Sequence, residues 1–187
     1  MPSSISPSLA HLLNSELTTS RLVLEPITAR HAPVLFDLMQ DPAIYEWISG
    51  KPPESLELLT AKWTERESRL GPNGEAWLNW AARRISDGAY VGKLDAVVNS
   101  ENVATNVGYL FFPKYWGQGY ASEAVSAVTD HFAANGVSKM RATVTLGNVA
   151  SYRVVEKAGF FKNRVIPEND TIRGVKYDDV EYIRIVP

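Results

Sequence analysis

Apolar and polar residues alternate along residues 21–26, a pattern typical of a half-buried strand that a proline closes. Helical spacing follows along residues 32–39, and Asp41 and Pro42 stop this helix. A second helix is predicted to carry its large apolar side chains on one side, at Leu56, Leu59, Trp63 and Leu70. The chain is therefore predicted to open with one strand and two helices.

Three apolar runs come next, each long enough for a strand. They cover residues 76–82, 89–98 and 103–112. Short polar segments at residues 86–88 and 99–102 separate the runs and have the composition of hairpin turns. This part of the chain is predicted to be a meander of three antiparallel strands.

The last part of the chain begins with a helical pattern and ends in strands. Apolar residues recur at helical spacing from Ala121 to Phe132, and Asn135 and Gly136 supply a stop. The further predictions are a strand at residues 140–146, a short helix at 150–158 and a strand pair at 160–166 and 175–186. Together these elements predict an α+β domain with one mixed sheet and about four helices.

Composition adds information mainly about the N terminus. With 187 residues, of which 45% are hydrophobic, the chain suits a single domain with its own core. Residues 1–19 hold several Ser and Pro and only scattered apolar residues, without the basic region of a targeting signal. We therefore expect a flexible arm at residues 1–19, followed by one domain at residues 20–187.

Charge and residue usage argue against several function classes. The formal net charge is −2 and no run of Lys and Arg could follow a phosphate backbone, so no nucleic-acid partner is expected. No apolar stretch approaches the roughly 20 residues of a membrane span, and the absence of cysteine suits a reducing compartment. We expect a cytoplasmic protein without a membrane partner. His11, His31 and His131 lack metal-ligand spacing, so no metal is expected.

Residues 107–124 run from a predicted strand through a glycine turn directly into a helix. Gly117 and Gly119 would let an anion approach the backbone, where the first N–H groups of the helix are unpaired and its dipole is positive. A dinucleotide fingerprint is incomplete because Ser122 replaces its third glycine, and no Gly-Lys-Ser/Thr of a Walker loop is present. Glu123 is expected to complement the helix dipole. The segment predicts a phosphate site of another kind.

Two segments resemble the motifs of the GNAT superfamily, in its branch named for ribosomal-protein alanine acetyltransferases (RimJ/RimL-like). They are YWGQGYASEA at residues 115–124 and NVASYRVVEKAGF at residues 148–160. In the first, Gly119 and Ala121 match the family's Gly-x-Gly/Ala, while Trp116 stands where Gln or Arg is usual. The resemblance covers roughly residues 21–186 and leaves only the N-terminal arm outside.

The resemblance implies a GNAT fold: a mixed, mostly antiparallel sheet of six to seven strands that splays between its fourth and fifth strands. These are the strands that carry residues 109–112 and 140–146. Acetyl-CoA, the expected co-substrate, would lie in this cleft, and a strand N–H of Leu110 or Phe111 would stabilise the oxyanion. The implied cofactor-binding residues are Leu110, Phe111, Phe112, Trp116, Gly117, Gln118, Gly119, Tyr120, Ala121, Ser122, Asn148, Ser151 and Arg153.

The resemblance also suggests catalytic residues. Many members of the family use a tyrosine as proton donor where this chain has Val155. Ser151 lies one helical turn earlier on the same face and could act as general acid or as hydrogen-bond donor to the leaving thiolate. For the base, the sequence leaves Glu46, Asp41 and a water chain that ends near Tyr109 open.

We therefore expect an N-acetyltransferase that moves an acetyl group to a primary amine by direct attack in a ternary complex. The acceptor could be a protein N-terminal α-amine, an amino acid or a small amine. Tyr45 and Trp47, between the first two helices, would line its pocket. The alternative is a CoA-binding regulatory module without catalysis. An exposed edge strand and the long final hairpin also make a homodimer a reasonable expectation.

Overall fold

In the computed structural model, which describes residues 4–187, eight strands form one sheet with the order β1-β2-β3-β4-β5-β6-β8-β7. The strands are β1 (Leu17–Thr18), β2 (Leu22–Pro26), β3 (Ala76–Arg84), β4 (Tyr90–Val98), β5 (Val103–Phe111), β6 (Lys139–Thr145), β7 (Phe161–Ile172) and β8 (Val175–Ile185). The α-helices of this part of the chain are α1 (Pro7–Leu13), α2 (Ala32–Leu35), α3 (Leu56–Arg66), α4 (Tyr120–Ala134) and α5 (Val149–Lys157). The predicted α+β class with a mixed sheet is confirmed.

The splay of the sheet lies between β5 and β6, which are its parallel neighbours. These strands pair only at Val103 with Lys139 and at Ala104 with Met140. Beyond these pairs, β5 remains bonded to β4 and β6 remains bonded to β8, but β5 and β6 diverge. A cleft with unpaired backbone groups on both walls opens where the resemblance implied it. The predicted fourth and fifth strands are β5 and β6 here because β1 adds one strand.

The N-terminal segment differs from the predicted flexible arm. Ser6 caps α1 by accepting a hydrogen bond from Leu9 N at 3.2 Å, and Leu13 of this helix is fully buried. The side chain of Asn14 donates to Asn79 O in β3 at 3.0 Å. The helix is too short for a periodic pattern, so its burial is decided by the sheet beneath it. Residues 1–3 of the predicted arm lie outside the described residues.

The region after β2 also differs in detail, because the predicted helix at residues 32–39 is interrupted. The four-residue helix α2 is followed by a 3₁₀ turn at Asp37–Gln40 and another at Pro42–Tyr45. Asp41 caps the second turn by accepting a hydrogen bond from Ala43 N at 3.0 Å. The side chain of Asp41 is thus used as a cap.

The two faces of the sheet carry different helices. Arg184 of β8 donates to Thr129 of α4 at 2.8 Å, and Tyr182 donates to Glu156 of α5 at 3.2 Å. Arg66 of α3 stacks over the ring of Trp77 in β3 at 4.5 Å, on the opposite face. Because successive residues of a strand alternate between faces, each site residue can be assigned to the α4/α5 face or to the α3 face. None of the helices in residues 4–187 is long and apolar enough to cross a membrane.

Candidate active site

The turn between β5 and α4 leaves the first N–H groups of α4 available. Gly117 and Gly119 have φ angles of 73° and 82°, a left-handed backbone that other residues adopt only with strain. Gly119 precedes the fifteen-residue helix α4 without a side-chain cap from the described residues. At Gly117, a Cβ atom would meet no heavy atom within 4 Å. The turn is therefore an open cradle with a positive dipole, which suits a pyrophosphate.

Arg21 holds this turn against the start of β2. Its Nη1 donates to Gln118 O at 2.9 Å, its Nε donates to Glu123 at 2.6 Å, and its guanidinium stacks over Tyr120 at 4.5 Å. Burial raises the pKa of Glu123, but hydrogen bonds from Thr19, Arg21 and Ser20 outweigh it, so this pKa lies below its usual value. Glu123 is thus an anchor of the turn, which agrees with its predicted structural role.

Arg84 of β3 brings a second positive charge to the turn. Its guanidinium donates to Tyr120 Oη at 3.3 Å, lies over the ring of Tyr115 at 5.1 Å and is paired with Asp87. Neither Arg21 nor Arg84 was predicted as a site residue, because both are far from the turn in the chain. Two guanidinium groups therefore flank the start of α4, each paired with a carboxylate: Arg21 with Glu123 and Arg84 with Asp87.

Trp116 links the turn back to the end of β5. Its indole N–H donates to Phe111 O at 2.6 Å. Gln118 stays within the turn and donates to Lys114 O at 3.1 Å. The side chains of Phe111 and Phe112 are buried in the core, so these two residues can contact a ligand in the cleft only through their backbone.

Backbone direction along β5 decides which of its N–H groups face the cleft. Phe112 N donates to Val91 O in β4 at 2.9 Å. Backbone groups of successive strand residues point to opposite edges, so the N–H of Leu110 also faces β4, whereas those of Tyr109 and Phe111 face β6. Of the two predicted oxyanion donors, only Phe111 therefore has its N–H on the cleft side.

A tyrosine and a serine meet on the α4/α5 face beside the cleft. The hydroxyl of Tyr109 in β5 lies 2.5 Å from Ser151 Oγ in the first turn of α5. Asn148 caps α5 by accepting a hydrogen bond from Ser151 N at 3.1 Å, which fixes the serine. Burial raises the pKa of Tyr109 to about 12, although its hydrogen bond with Ser151 lowers it. The pair combines a neutral phenol with a positioned hydroxyl group.

The remaining residues of the second motif have other roles or stay at the surface. Val155 is fully buried in the core. Tyr152 accepts a hydrogen bond from Gly147 N at 2.7 Å and thereby closes the turn between β6 and α5. Arg153 is exposed. Asn148 uses its oxygen as the cap, so its amide N–H groups are what it can offer to a ligand.

The segment that follows α2 lies over the C-terminal end of β6. Thr145 Oγ1 donates to Trp47 O at 3.0 Å, and the Trp47 ring lies 3.6 Å from where a Cβ atom of Gly147 would be. Glu46 is exposed, and its carbonyl accepts a hydrogen bond from Arg173 Nη2 at 3.4 Å. The hydroxyl of Tyr45 donates to Met39 O at 2.8 Å. Trp47 is thus at the mouth of the cleft, while the Tyr45 hydroxyl is used internally.

A cavity of about 230 Å³ adjoins the end of β5, and both Asp37 and Asp41 lie on its wall beside Phe112 and Lys114. Another cavity of about 260 Å³ lies between α4, the end of α5 and Arg184. It contains none of the predicted site residues. The cavity at the end of β5, by contrast, is lined by Phe112 and Asp41, which are both candidates from the sequence.

A splayed sheet with an uncapped helix at its open end defines the class of acyl-CoA-binding transferases to which the sequence motifs pointed. The chain belongs to the GNAT acetyltransferases, since the family model for the acetyltransferase (GNAT) domain matches residues 21–161. The protein YkkB of Bacillus subtilis (strain 168) is 31% identical over 156 residues, which cover 81% of this chain and 88% of YkkB. The predicted family is confirmed.

Solved structures agree with this assignment. RimL, a ribosomal L7/L12 α-N-protein acetyltransferase in complex with coenzyme A, matches with a TM-score of 0.79 at 20% identity, over 91% of this chain and 97% of RimL. Spermidine N-acetyltransferase from Vibrio cholerae, in complex with CoA and spermine, matches with a TM-score of 0.76 at 17% identity, over 90% of this chain and 97% of that enzyme. At these identities the matches confirm the GNAT fold.

Proposed function

We propose that this enzyme transfers the acetyl group of acetyl-CoA to a primary amine, by direct attack within a ternary complex. The observation that carries the proposal is the cleft between β5 and β6, with the Tyr109–Ser151 pair beside it and the uncapped N terminus of α4 at its open end. The CoA complexes of RimL and the spermidine enzyme support the choice of donor.

The donor is proposed to bind mainly through backbone groups. The N–H groups of residues 117–122 would hold the pyrophosphate, with Arg21 and Arg84 close to them. The pantetheine arm would pair with the free edge of β5, as an added strand does. The N–H of Phe111 would then donate to the thioester oxygen, where negative charge develops during attack.

The role of the Tyr109–Ser151 pair follows from acidity. A phenol with a pKa of about 12 is a weaker acid than an alkyl thiol near 8.5, so proton transfer from Tyr109 to the leaving thiolate is uphill by roughly 5 kcal/mol. Ser151 therefore stabilises the thiolate as a hydrogen-bond donor, and Tyr109 orients the serine hydroxyl. The new C–N bond forms, the C–S bond breaks, and the proton lost by the amine ends on the CoA thiol through solvent.

The amine must be neutral when it attacks. An α-amine with a pKa near 7.8 is on the order of 10% neutral at pH 7, so it needs only a weak base, whereas a lysine-like amine needs a stronger one. Glu46 remains the predicted base, and Tyr45 and Trp47 remain the predicted pocket residues. RimL and the spermidine enzyme are named for a protein α-amine and a polyamine, so the fold alone does not select the acceptor.

The homodimer and the cytoplasmic location also remain predictions.

Two measurements on the purified chain test the proposal. Thermal melting with CoA, acetyl-CoA, longer acyl-CoAs, ATP and NAD should show the largest rise with CoA ligands, because a ligand that binds the native state raises the midpoint. Release of the CoA thiol should then be followed over a panel of amines. No rise with any CoA would contradict donor binding, and binding without turnover on any amine would favour the regulatory module instead.

A further inference from the structure

Asp179 is a buried carboxylate that the proposed chemistry does not use. It lies in β8 and is only 5% exposed. Its Oδ2 accepts a hydrogen bond from Asn169 at 2.7 Å, whereas its Oδ1 is buried without a hydrogen-bond partner among residues 4–187. Burying an unpaired carboxylate oxygen costs stability, and most buried polar groups do have partners. An oxygen without a partner can still accept a hydrogen bond from a ligand.

The register of the sheet places Asp179 on the same side as the predicted acceptor pocket. Asp179 pairs directly with Thr145 of β6, so both side chains lie on the same face, and Thr145 Oγ1 donates to Trp47 O. Tyr182 and Arg184 are separated from Asp179 by an odd number of positions in β8, so their side chains lie on the opposite face. They contact α5 and α4, and Asp179 therefore lies on the α3 face. The carboxylate is therefore beneath the segment of Glu46 and Trp47, on the face opposite the Tyr109–Ser151 pair.

The same register separates Asp179 from the reacting atoms. Val103 pairs with Lys139, and β5 and β6 run in the same direction from there, so Tyr109 and Thr145 lie towards the same end of the cleft. Asp179 is at the level of Thr145, but one strand further from the cleft, about 5 Å beyond β6. A nitrogen bound by Asp179 is thus a different nitrogen from the one that attacks the thioester in the cleft.

We propose that Asp179 is an anionic subsite for a second, non-reacting cationic nitrogen of the acceptor. Its Oδ1 would accept a charge-assisted hydrogen bond from an ammonium group, which satisfies the unpaired oxygen. The acceptor is then a diamine, a polyamine or a peptide with a basic group near the reacting amine. This inference rests on the proposed acetyl transfer and adds the class of acceptor.

A matched pair of acceptors tests the subsite. We expect wild-type enzyme to have a KM about tenfold lower for 1,4-diaminobutane than for butylamine, which has the same length and one ammonium. In Asp179→Asn, the amide keeps the contact with Asn169 but removes the charge. Its KM for the diamine should rise about tenfold, with kcat and the KM for butylamine within twofold of wild type.

Asp178→Asn is the matched control, because Asp178 accepts a hydrogen bond from Glu168 N and alternates to the other face. It should leave both KM values unchanged. If wild-type enzyme acetylates both amines with equal KM, the subsite is overturned while the acetyltransferase function stands. This comparison does not depend on the folding of any variant. If neither amine is acetylated, diamine binding is measured by thermal melting with CoA present. A diamine shift that Asp179→Asn abolishes supports the subsite, and its absence in wild type overturns it.

Discussion

The two halves of the sheet on either side of the splay both bury carboxylates, and Glu25 in one half and Asp179 in the other differ in their hydrogen-bond partners. Glu25 of β2 accepts hydrogen bonds from Arg83, His31 and Tyr90, so both of its oxygens have partners. Asp179 of β8 has one oxygen paired and one unpaired. A fully paired buried carboxylate serves the fold, whereas a half-paired one can still accept a hydrogen bond from a ligand.

The halves also differ in how they offer contacts to substrates. The half that contains β2–β5 leads into a glycine turn whose backbone N–H groups form the proposed donor site. The half that contains β6–β8 supplies side chains, namely Ser151 next to β6 and Asp179 in β8. Substitutions at the glycine turn should therefore change CoA affinity, and those at Ser151 and Asp179 should change turnover or acceptor KM.

The largest effect is expected for stability at Glu25. Burial raises the pKa of Glu25, but its hydrogen bonds with Arg83, His31 and Tyr90 outweigh this and lower it to about 2. A depressed folded-state pKa stabilises the fold above the usual value of 4.5, and this contribution is lost as the pH falls from about 5 towards 2. Glu25→Gln should lose roughly 3 kcal/mol of unfolding free energy at pH 7 and show a flatter acid dependence.

Urea unfolding at several pH values measures this contribution. Asp179→Asn is the control from the other half and should cost much less at pH 7, because it removes a charge that is only half paired. An equal loss in both variants would remove the distinction between a structural and a ligand-binding carboxylate.

The next effect is expected for donor binding at Gly119. Its φ angle of 82° strains any other residue, and a Cβ atom there would lie 3.4 Å from Arg21 Nη2. Gly119→Val should weaken CoA binding by about 100-fold, read by isothermal titration. Gly136→Val is the matched control, since Gly136 has a similar φ of 85° at the other end of α4. It should lower stability but keep CoA affinity, and a similar loss of CoA affinity in both variants would argue against a backbone site at Gly119.

A smaller effect is expected at the Tyr109–Ser151 pair. Ser151→Ala should lower kcat about 30-fold with acetyl-CoA affinity within threefold of wild type, because the lost hydrogen bond acts on the leaving thiolate. Tyr109→Phe keeps the serine and should lower kcat less. If Ser151→Ala has the same kcat as wild type with acetyl-CoA, the serine takes no part in the reaction. Tyr152→Phe is the control on the same helix, since its hydroxyl only closes the turn at Gly147.

The smallest effect is expected at Arg21. Arg21→Ala removes the contacts to Gln118 O and Glu123 but leaves the N–H groups of α4 in place. CoA affinity should fall about fivefold, with acceptor KM unchanged. CoA affinity in Arg21→Ala is compared with that in Arg153→Ala, because Arg153 is exposed on the other side of the cleft and was predicted to contact a phosphate. A larger loss in Arg153→Ala than in Arg21→Ala would move the phosphate site towards α5.

The sequence by itself determined the family, most of the strands and helices from β2 onwards, and the glycine turn before α4. These features depend on local patterns, because strand and helix periods and the glycines that permit a left-handed backbone are properties of neighbouring residues. The position of the splay followed from the resemblance to the family. The second motif likewise located Ser151 and its cap, Asn148.

Only the tertiary structure decided which distant side chains join those motifs. The N-terminal helix packs on β3, Arg21 and Arg84 reach the glycine turn before α4, and Asp179 lies beneath Trp47 with an unpaired oxygen. Asp178 and Asp179 look alike in the sequence, and the alternation of β8 sends them to opposite faces. Register and strand pairing join residues that are far apart in the chain, and no local pattern specifies those contacts.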